Sequence, residues 1–183
     1  LPNQLAQAGR QETLELAQQL GCLPLALKLA AAHLSDGMSL PELGQALEAY
    51  KSRLLAQAAP PLEAEARDKH LALQAVLALS IRPLTAERRT AFAWLGILPE
   101  DAVLNPKMAA TLWGLPDETQ AGELLRHLYE RGMLLRGDPG PDGSASYRVH
   151  DLLHDAALKL LMAPIIPLQR GDLPGLGLLP PQA

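Results

Sequence analysis

The sequence has little cysteine and few aromatic side chains. Its single cysteine, Cys22, excludes an internal disulfide framework and fits a reducing compartment. Aromatic residues make up only 3% of the 183 residues, whereas hydrophobic residues, mostly leucine and alanine, make up 48%. Because leucine and alanine favour helices, this composition predicts a mainly α-helical fold with a core of packed helices.

A basic excess and long apolar runs are also missing. The formal net charge of −4 and a pI near 5.7 argue against nucleic acid or a membrane surface as the main partner. No apolar stretch is long enough to span a membrane, and no signal peptide is recognisable. We therefore expect a cytoplasmic protein without membrane contact.

The first part of the chain, residues 1–61, is predicted to be a helical bundle. Gly21 ends one amphipathic helix, and Pro24 suits the first turn of the next. Ser39, followed three residues later by Glu42, has the spacing of a capping box at the start of a third helix. The predicted helices cover about 11–20, 24–34 and 39–55.

The second part, residues 66–161, has the element order of a winged helix-turn-helix domain. Thr85 and Asp117 are predicted N-caps, Gly132 is a predicted helix C-cap, and Trp94 and Trp113 are predicted core residues. A helix-rich stretch is followed by a β-hairpin, as in that motif. The predicted helices are at 70–81, from 85, at 106–113 and from 117 to about 131, and the predicted strands are at 133–136 and 146–149.

The two ends of the chain suggest a larger parent protein. Residues 162–183 are rich in proline and glycine and are predicted to be a linker or a tail. The chain begins at Leu1, in a helical pattern, rather than at methionine. We therefore expect the sequence to be a piece of a longer protein.

Residues 147–155, with the sequence YRVHDLLHD, lie where an extended segment gives way to a helix. Asp151 is the predicted N-cap of that helix, with His150 directly before it. Free backbone N–H groups and the helix dipole make such a junction favourable for an anion. His150 is therefore a candidate anion-binding residue.

Two short motifs together resemble a known family. Residues 21–27, with the sequence GCLPLAL, resemble the GxP motif of NB-ARC nucleotide-binding switches, and residues 149–151 resemble their MHD motif. These switches belong to the STAND class of signalling ATPases, which includes plant immune receptors, the apoptosome scaffold and many bacterial multidomain proteins. Val149 replaces methionine in the second motif, and Cys22 stands where the family most often has the glycine of GxP. The resemblance covers roughly residues 10–161.

The resemblance implies the lid or sensor part of an ADP/ATP switch that holds the resting state of a signalling protein. His150 would donate a hydrogen bond to the β-phosphate of ADP, and Pro24 would pack against the adenine. Asp151 would cap its helix and orient His150. As an alternative, Pro24 is an ordinary first-turn proline. Supporting positions are Gly21, Cys22 and Val149, and predicted core positions beside Pro24 are Leu23, Leu25 and Leu27.

The nucleotide chemistry of the family needs residues that this sequence lacks. No G-x-x-x-x-G-K-[ST] phosphate loop occurs in it, and the magnesium-ligand motifs are missing as well. The chain is therefore expected not to be an enzyme by itself and to carry no metal. The resemblance implies an upstream nucleotide-binding domain in the same parent protein and a possible downstream repeat or effector module.

Three other interpretations stay open. A winged helix can bind DNA through its third helix, here 118–131, but the charges there nearly cancel, and the predicted loop 137–145 has no lysine or arginine. The chain could instead be an interaction scaffold with a degenerate nucleotide site, because Cys22 and Val149 depart from the family motifs. His150 and His154, four residues apart, could also seed a metal site, although no third ligand cluster supports one.

Overall fold

The computed structural model describes residues 2–57, 64–140 and 143–162. Within these ranges the protein has eight α-helices, one short 3-10 helix and three two-residue strands. The predicted mainly α-helical class is therefore confirmed, with a small antiparallel sheet added. Apart from Met162, the predicted tail lies outside the described residues. In the described part, no helix is both long and apolar enough to cross a membrane.

The chain divides into two compact units, Leu1–Arg82 and Pro83–Ala183. The described part of the first unit contains four helices, of which α4 packs against both α2 and α3, and α1 packs against α3. They are α1 (Pro2–Gln19), α2 (Pro24–Ser35), α3 (Leu40–Gln57) and α4 (Ala64–Ile81).

Helix α4 belongs to the first unit, whereas the sequence analysis assigned it to a second domain beginning at 66. Its apolar residues surround the helix axis, so it must be covered on several sides. Two side-chain contacts tie its end to α2 and α3: Ser80 Oγ lies 3.0 Å from His33 Nε2, and Arg82 Nη1 donates to the Tyr50 hydroxyl at 2.9 Å. The boundary between the compact units therefore falls after Arg82.

The second unit contains the remaining helices and the sheet. The predicted caps are confirmed, since Thr85 accepts from the backbone N–H of Arg88 and Asp117 from that of Gln120. Asn105 caps a further helix in the same way. The elements are α5 (Ala86–Trp94), the 3-10 helix (Leu95–Ile97), β1 (Val103–Leu104), α6 (Pro106–Trp113), α7 (Glu118–Glu130), β2 (Leu135–Arg136), β3 (Tyr147–Arg148) and α8 (Asp151–Met162).

The three strands form an antiparallel sheet in the order β1-β3-β2. Tyr147 of β3 lies opposite Leu104 on one side and Arg136 on the other. Strand β1 was not predicted from the sequence, because a strand of two residues is too short to show an alternating pattern. Strand β2 is shorter than the predicted strand at 133–136, since only Leu135–Arg136 pair. Strand β3 is thus held on both edges immediately before the candidate site.

Helix α8 packs against α5 and the 3-10 helix. The contact is unusually close at Gly96, where an added Cβ would lie 2.6 Å from Leu158 Cα and 2.8 Å from Ala157 C. Because those atoms belong to the α8 backbone, only glycine fits between the two segments without a shift. Gly96 therefore sets how near α8 can approach.

Candidate functional site

The strand-to-helix junction at residues 147–151 is anchored on both sides. Strand β3 pairs with two neighbours, and Val149 directly after it is buried at 7% exposure. Valine thus places an apolar side chain in an apolar environment at position 149. The anchoring fixes the place at which α8 begins, and so the position of His150.

The ring of His150 is held by the helix that follows it. The backbone N–H of Leu152 donates to His150 Nδ1 at 3.2 Å, so Nδ1 is the acceptor and the neutral ring carries its proton on Nε2. The carbonyl of His150 accepts from Leu153 and His154, at 2.7 and 2.8 Å. Among the described residues Nε2 has no hydrogen-bond partner, and it is not a buried atom. His150 therefore presents an N–H donor at a helix N-terminus.

The helix cap is His150 and not Asp151, so that part of the sequence analysis was wrong. Helix α8 begins at Asp151, which makes Asp151 its first helical residue. Its carboxylate is exposed and forms no hydrogen bond to any described residue. Asp151 therefore acts through its charge in the first turn, where it interacts favourably with the helix dipole.

His154 has a structural position one turn further along α8. Its Nε2 lies 2.7 Å from the carbonyl oxygen of Leu98, which only accepts, so Nε2 donates and ties α8 to the loop after the 3-10 helix. Its Nδ1 is buried without a hydrogen-bond partner among the described residues. With Nε2 engaged in this way, His154 and His150 do not converge on one ion. Within the described ranges, no group of three or more potential ligands could hold a metal.

The GxP-like residues form a tight left-handed turn in the first unit. Gly21 donates to the carbonyl of Gln18 and Cys22 to that of Ala17, both at 2.9 Å, which is the Schellman pattern at the end of α1. Gly21 and Cys22 have φ angles of 64° and 53°. A left-handed glycine is expected here, whereas a left-handed cysteine is strained. The Cys22 side chain is exposed as a free thiol.

Pro24 opens α2 and its ring is exposed. It occupies the first turn after Leu23, which provides no side-chain cap. Leu25 is buried, but Leu23 is only half-buried and Leu27 is 36% exposed, so the prediction that Leu27 belongs to the core was wrong. Residues 24, 27 and 31 lie on one face of α2 and all three are exposed, so this face of the helix is accessible to solvent.

Lys51 is a supporting residue of this loop that the sequence analysis missed. Its Nζ donates to the carbonyl of Gln19 at 2.6 Å and lies 3.4 Å from Glu48 Oε1. A cation at the carboxyl end of α1 satisfies a free carbonyl and interacts favourably with the helix dipole. Gln19 and Lys51 are 32 positions apart, so no local pattern could have revealed this anchor.

The two parts of the predicted site therefore lie in different compact units. Pro24, Gly21 and Cys22 belong to the first, and Val149, His150 and Asp151 belong to the second. Within each unit the motif residues are neighbours in sequence, so the local backbone conformation holds them close together. Comparison of the chain with protein-family models and with curated proteins finds no match.

Proposed function

We propose that this chain is the lid or sensor part of an NB-ARC-type ADP/ATP switch, which holds the resting state of a larger signalling protein. In this proposal an upstream domain supplies the phosphate loop and the magnesium ligands. The second unit contributes His150 to the β-phosphate, and the first unit contributes Pro24 to the adenine. Bound ADP supplies the charged phosphate oxygen, and this chain supplies the donor that recognises it.

The observation that carries the proposal is the hydrogen bonding of His150. Its Nδ1 accepts from Leu152, which fixes the ring and leaves the Nε2–H group without a hydrogen-bond partner among the described residues. The first-turn N–H groups of α8 and its dipole favour negative charge at the same place. A fixed donor beside a helix N-terminus suits a phosphate oxygen, because the ring loses little freedom when it binds.

Two further features support the proposal. Pro24 is exposed at the start of α2, so its ring is available to a flat apolar ligand. The element order α5, β1, α6, α7, β2, β3 and the sheet order β1-β3-β2 suit a winged helix, which is where the family carries its MHD motif. Valine in that motif is compatible with the buried environment of residue 149.

DNA binding is less well supported. A phosphate-tracking surface needs uncommitted cations, and three arginines of the second unit already have partners. Arg126 lies 3.9 Å from Glu130, Arg148 lies 3.8 Å from Asp101, and the guanidinium of Arg136 lies 5.3 Å from the ring centre of Tyr147. Two of these contacts place a carboxylate near the arginine, where it would repel a phosphate.

The proposal is tested by the rate of ADP release from the intact protein that contains this chain. Recovery of the upstream sequence comes first, because the proposal requires a phosphate loop there. Release of a fluorescent ADP analogue is then compared for the natural protein, His150→Asn and Asp151→Asn. Asparagine at the cap position keeps an acceptor for Leu152 but removes the distal N–H donor.

We expect His150→Asn to release ADP about 10- to 100-fold faster, since a hydrogen bond to a charged group contributes about 1.5–3 kcal/mol. Asp151→Asn serves as the control, because it leaves the His150 donor in place and removes a neighbouring carboxylate that would repel a phosphate, so it should not speed ADP release. Release from His150→Asn at the natural rate would show that His150 is only a helix cap. Failure of the intact protein to bind ADP at all would favour the interaction scaffold.

A further inference from the structure

A cleft of about 720 Å³ lies in the second unit between α5 and α7. Both tryptophans of the chain, Trp94 and Trp113, line it, and neither is fully buried. This volume is in the range of sites that bind small organic molecules. Both tryptophans were predicted to be core residues, but they are only half-buried and lie along a partly open cleft.

One of the two indole rings, that of Trp113, is fixed by a hydrogen bond. Trp113 Nε1 donates to the carbonyl of Ala91 at 3.0 Å, which fixes one edge of its ring against α5. Among the described residues, the side-chain cations that lie over aromatic rings are at Tyr50 and Tyr147, not at Trp94 or Trp113. The two tryptophans that line the cleft are therefore not already engaged by a cation from the described residues.

Two carboxylates border the cleft from opposite walls. Glu87 is on α5 and Glu123 is on α7, and both are exposed. Neither forms an ion pair with a described residue. Arg88 and His127 also line the cleft, so two carboxylates accompany one permanent positive group and one imidazole. The electrostatic balance at the rim therefore favours a cationic ligand over an anionic one.

We propose that this cleft binds an organic cation, either a small ammonium compound or the ammonium or guanidinium group of a protein side chain. Aromatic faces attract such cations through their quadrupole, tryptophan most strongly, and nearby carboxylates add a favourable charge interaction. The apolar walls, which include Leu115 and Leu124, would cover the methylene or methyl groups of the ligand. This site is independent of the nucleotide proposal, since it shares no residue with that site.

The intrinsic fluorescence of the chain is a direct probe, because its two tryptophans both line the cleft. The 183-residue chain is titrated at constant ionic strength with choline, N-acetyl-lysine amide and N-acetyl-arginine amide. The neutral isostere 3,3-dimethylbutanol and the anion 3,3-dimethylbutyrate serve as matched ligands of similar shape. We expect saturable changes with at least one cation and much weaker ones with the two isosteres.

Substitutions of the cleft residues test which side chains contribute to cation binding. Glu123→Gln and Glu87→Gln should each weaken binding, Arg88→Ala should strengthen it, and Trp94→Leu should weaken it by about 2- to 30-fold. Trp94 is the better ring to change, because Trp113 also carries a hydrogen bond of the fold. Circular dichroism establishes that each variant remains folded. Glu118→Gln, on α7 but outside the cleft, should bind as the natural chain does.

Three results would overturn this proposal. The first is the absence of saturable binding by any of the three cations. The second is equal binding of choline and its neutral isostere, which would indicate a purely apolar cleft. The third is preferential binding of the anion together with its loss in Arg88→Ala. Binding of choline alone would identify a small-molecule site, whereas preference for a side-chain analogue would identify a peptide partner.

Discussion

The backbone N–H of Leu152 donates to Nδ1 of His150 across 3.2 Å, so the first turn of α8 is capped by the residue proposed to read the phosphate. One ring nitrogen holds the helix start, and the other is the proposed donor. His150 therefore has a structural role as the helix cap and a proposed functional role as the phosphate donor. The most informative substitutions are those that remove one of these roles and keep the other.

The first prediction concerns the stability of α8. His150→Ala removes the acceptor of the Leu152 N–H group and should lower the free energy of unfolding by about 1 kcal/mol. His150→Asn provides an equivalent acceptor and should remain within about 0.5 kcal/mol of the natural chain. Urea denaturation of the 183-residue chain measures both values. Equal loss in the two variants would show that the cap hydrogen bond is not what stabilises the helix start.

The second prediction concerns the contact between Gly96 and α8. In Gly96→Ala the new Cβ would meet the backbone at Ala157 and Leu158, which cannot move aside as a side chain can. We expect the free energy of unfolding to fall by about 1–3 kcal/mol or more. Thermal denaturation followed by circular dichroism measures the loss.

Gly122→Ala is the matched control for this prediction. Gly122 lies inside α7, and its new Cβ would make ordinary contacts with Pro106, at 3.7 and 3.8 Å. Alanine is the better helix former, so this variant should gain about 0.5–1 kcal/mol. A stable Gly96→Ala chain would mean that α8 is free to move away from the 3-10 helix.

The third prediction concerns the buried pair that joins α2 to α4. Ser80 Oγ donates to the carbonyl of Val76 at 2.9 Å, so in its contact with His33 Nε2 at 3.0 Å it acts as the acceptor. Ser80→Ala removes that acceptor from a buried donor and should cost about 1–3 kcal/mol in unfolding free energy. Ser52→Ala, at an exposed position, should change it by less than about 0.5 kcal/mol. Similar values for the two variants would contradict this role of Ser80.

The fourth prediction concerns pH and the capping box of α3. The hydroxyl and the backbone N–H of Ser39 donate to Glu42 Oε2, at 2.7 and 2.8 Å, and these bonds lower the pKa of Glu42 from its ordinary value of 4.5. A lowered pKa in the folded state means stabilisation that is present above the ordinary value. That stabilisation is lost as the pH falls through the lowered value.

Glu42→Gln directly tests the direction of this pH dependence of stability. Its free energy of unfolding should be below that of the natural chain at neutral pH, and the difference should shrink as the pH falls below about 4.5. Because Glu42 is exposed, the effect should also be small and reduced by salt. A difference that does not depend on pH would show that the charge of Glu42 contributes nothing to the cap.

The sequence by itself determined the local elements. The Ser39 and Glu42 spacing, the Asp117 cap and the left-handed Gly21 all follow from interactions within a few residues of each other. Leucine and alanine content likewise determined the helical class. These features depend only on backbone geometry and side-chain type, so they can be predicted without knowledge of the fold. The NB-ARC resemblance stays a prediction, since it rests on motifs rather than on packing.

The tertiary structure decided what depends on residues far apart in sequence. The assignment of α4 to the first unit rests on contacts such as His33 with Ser80, 47 positions apart. The pairing of β1 and the opening of the Trp94 and Trp113 cleft arise in the same way. The capping role of His150 also required coordinates. Helix α8 begins at Asp151, one residue earlier than a cap at Asp151 would require, so His150 is the cap. Sequence periodicity fixes which face of a helix is apolar, but only packing determines which surface covers it.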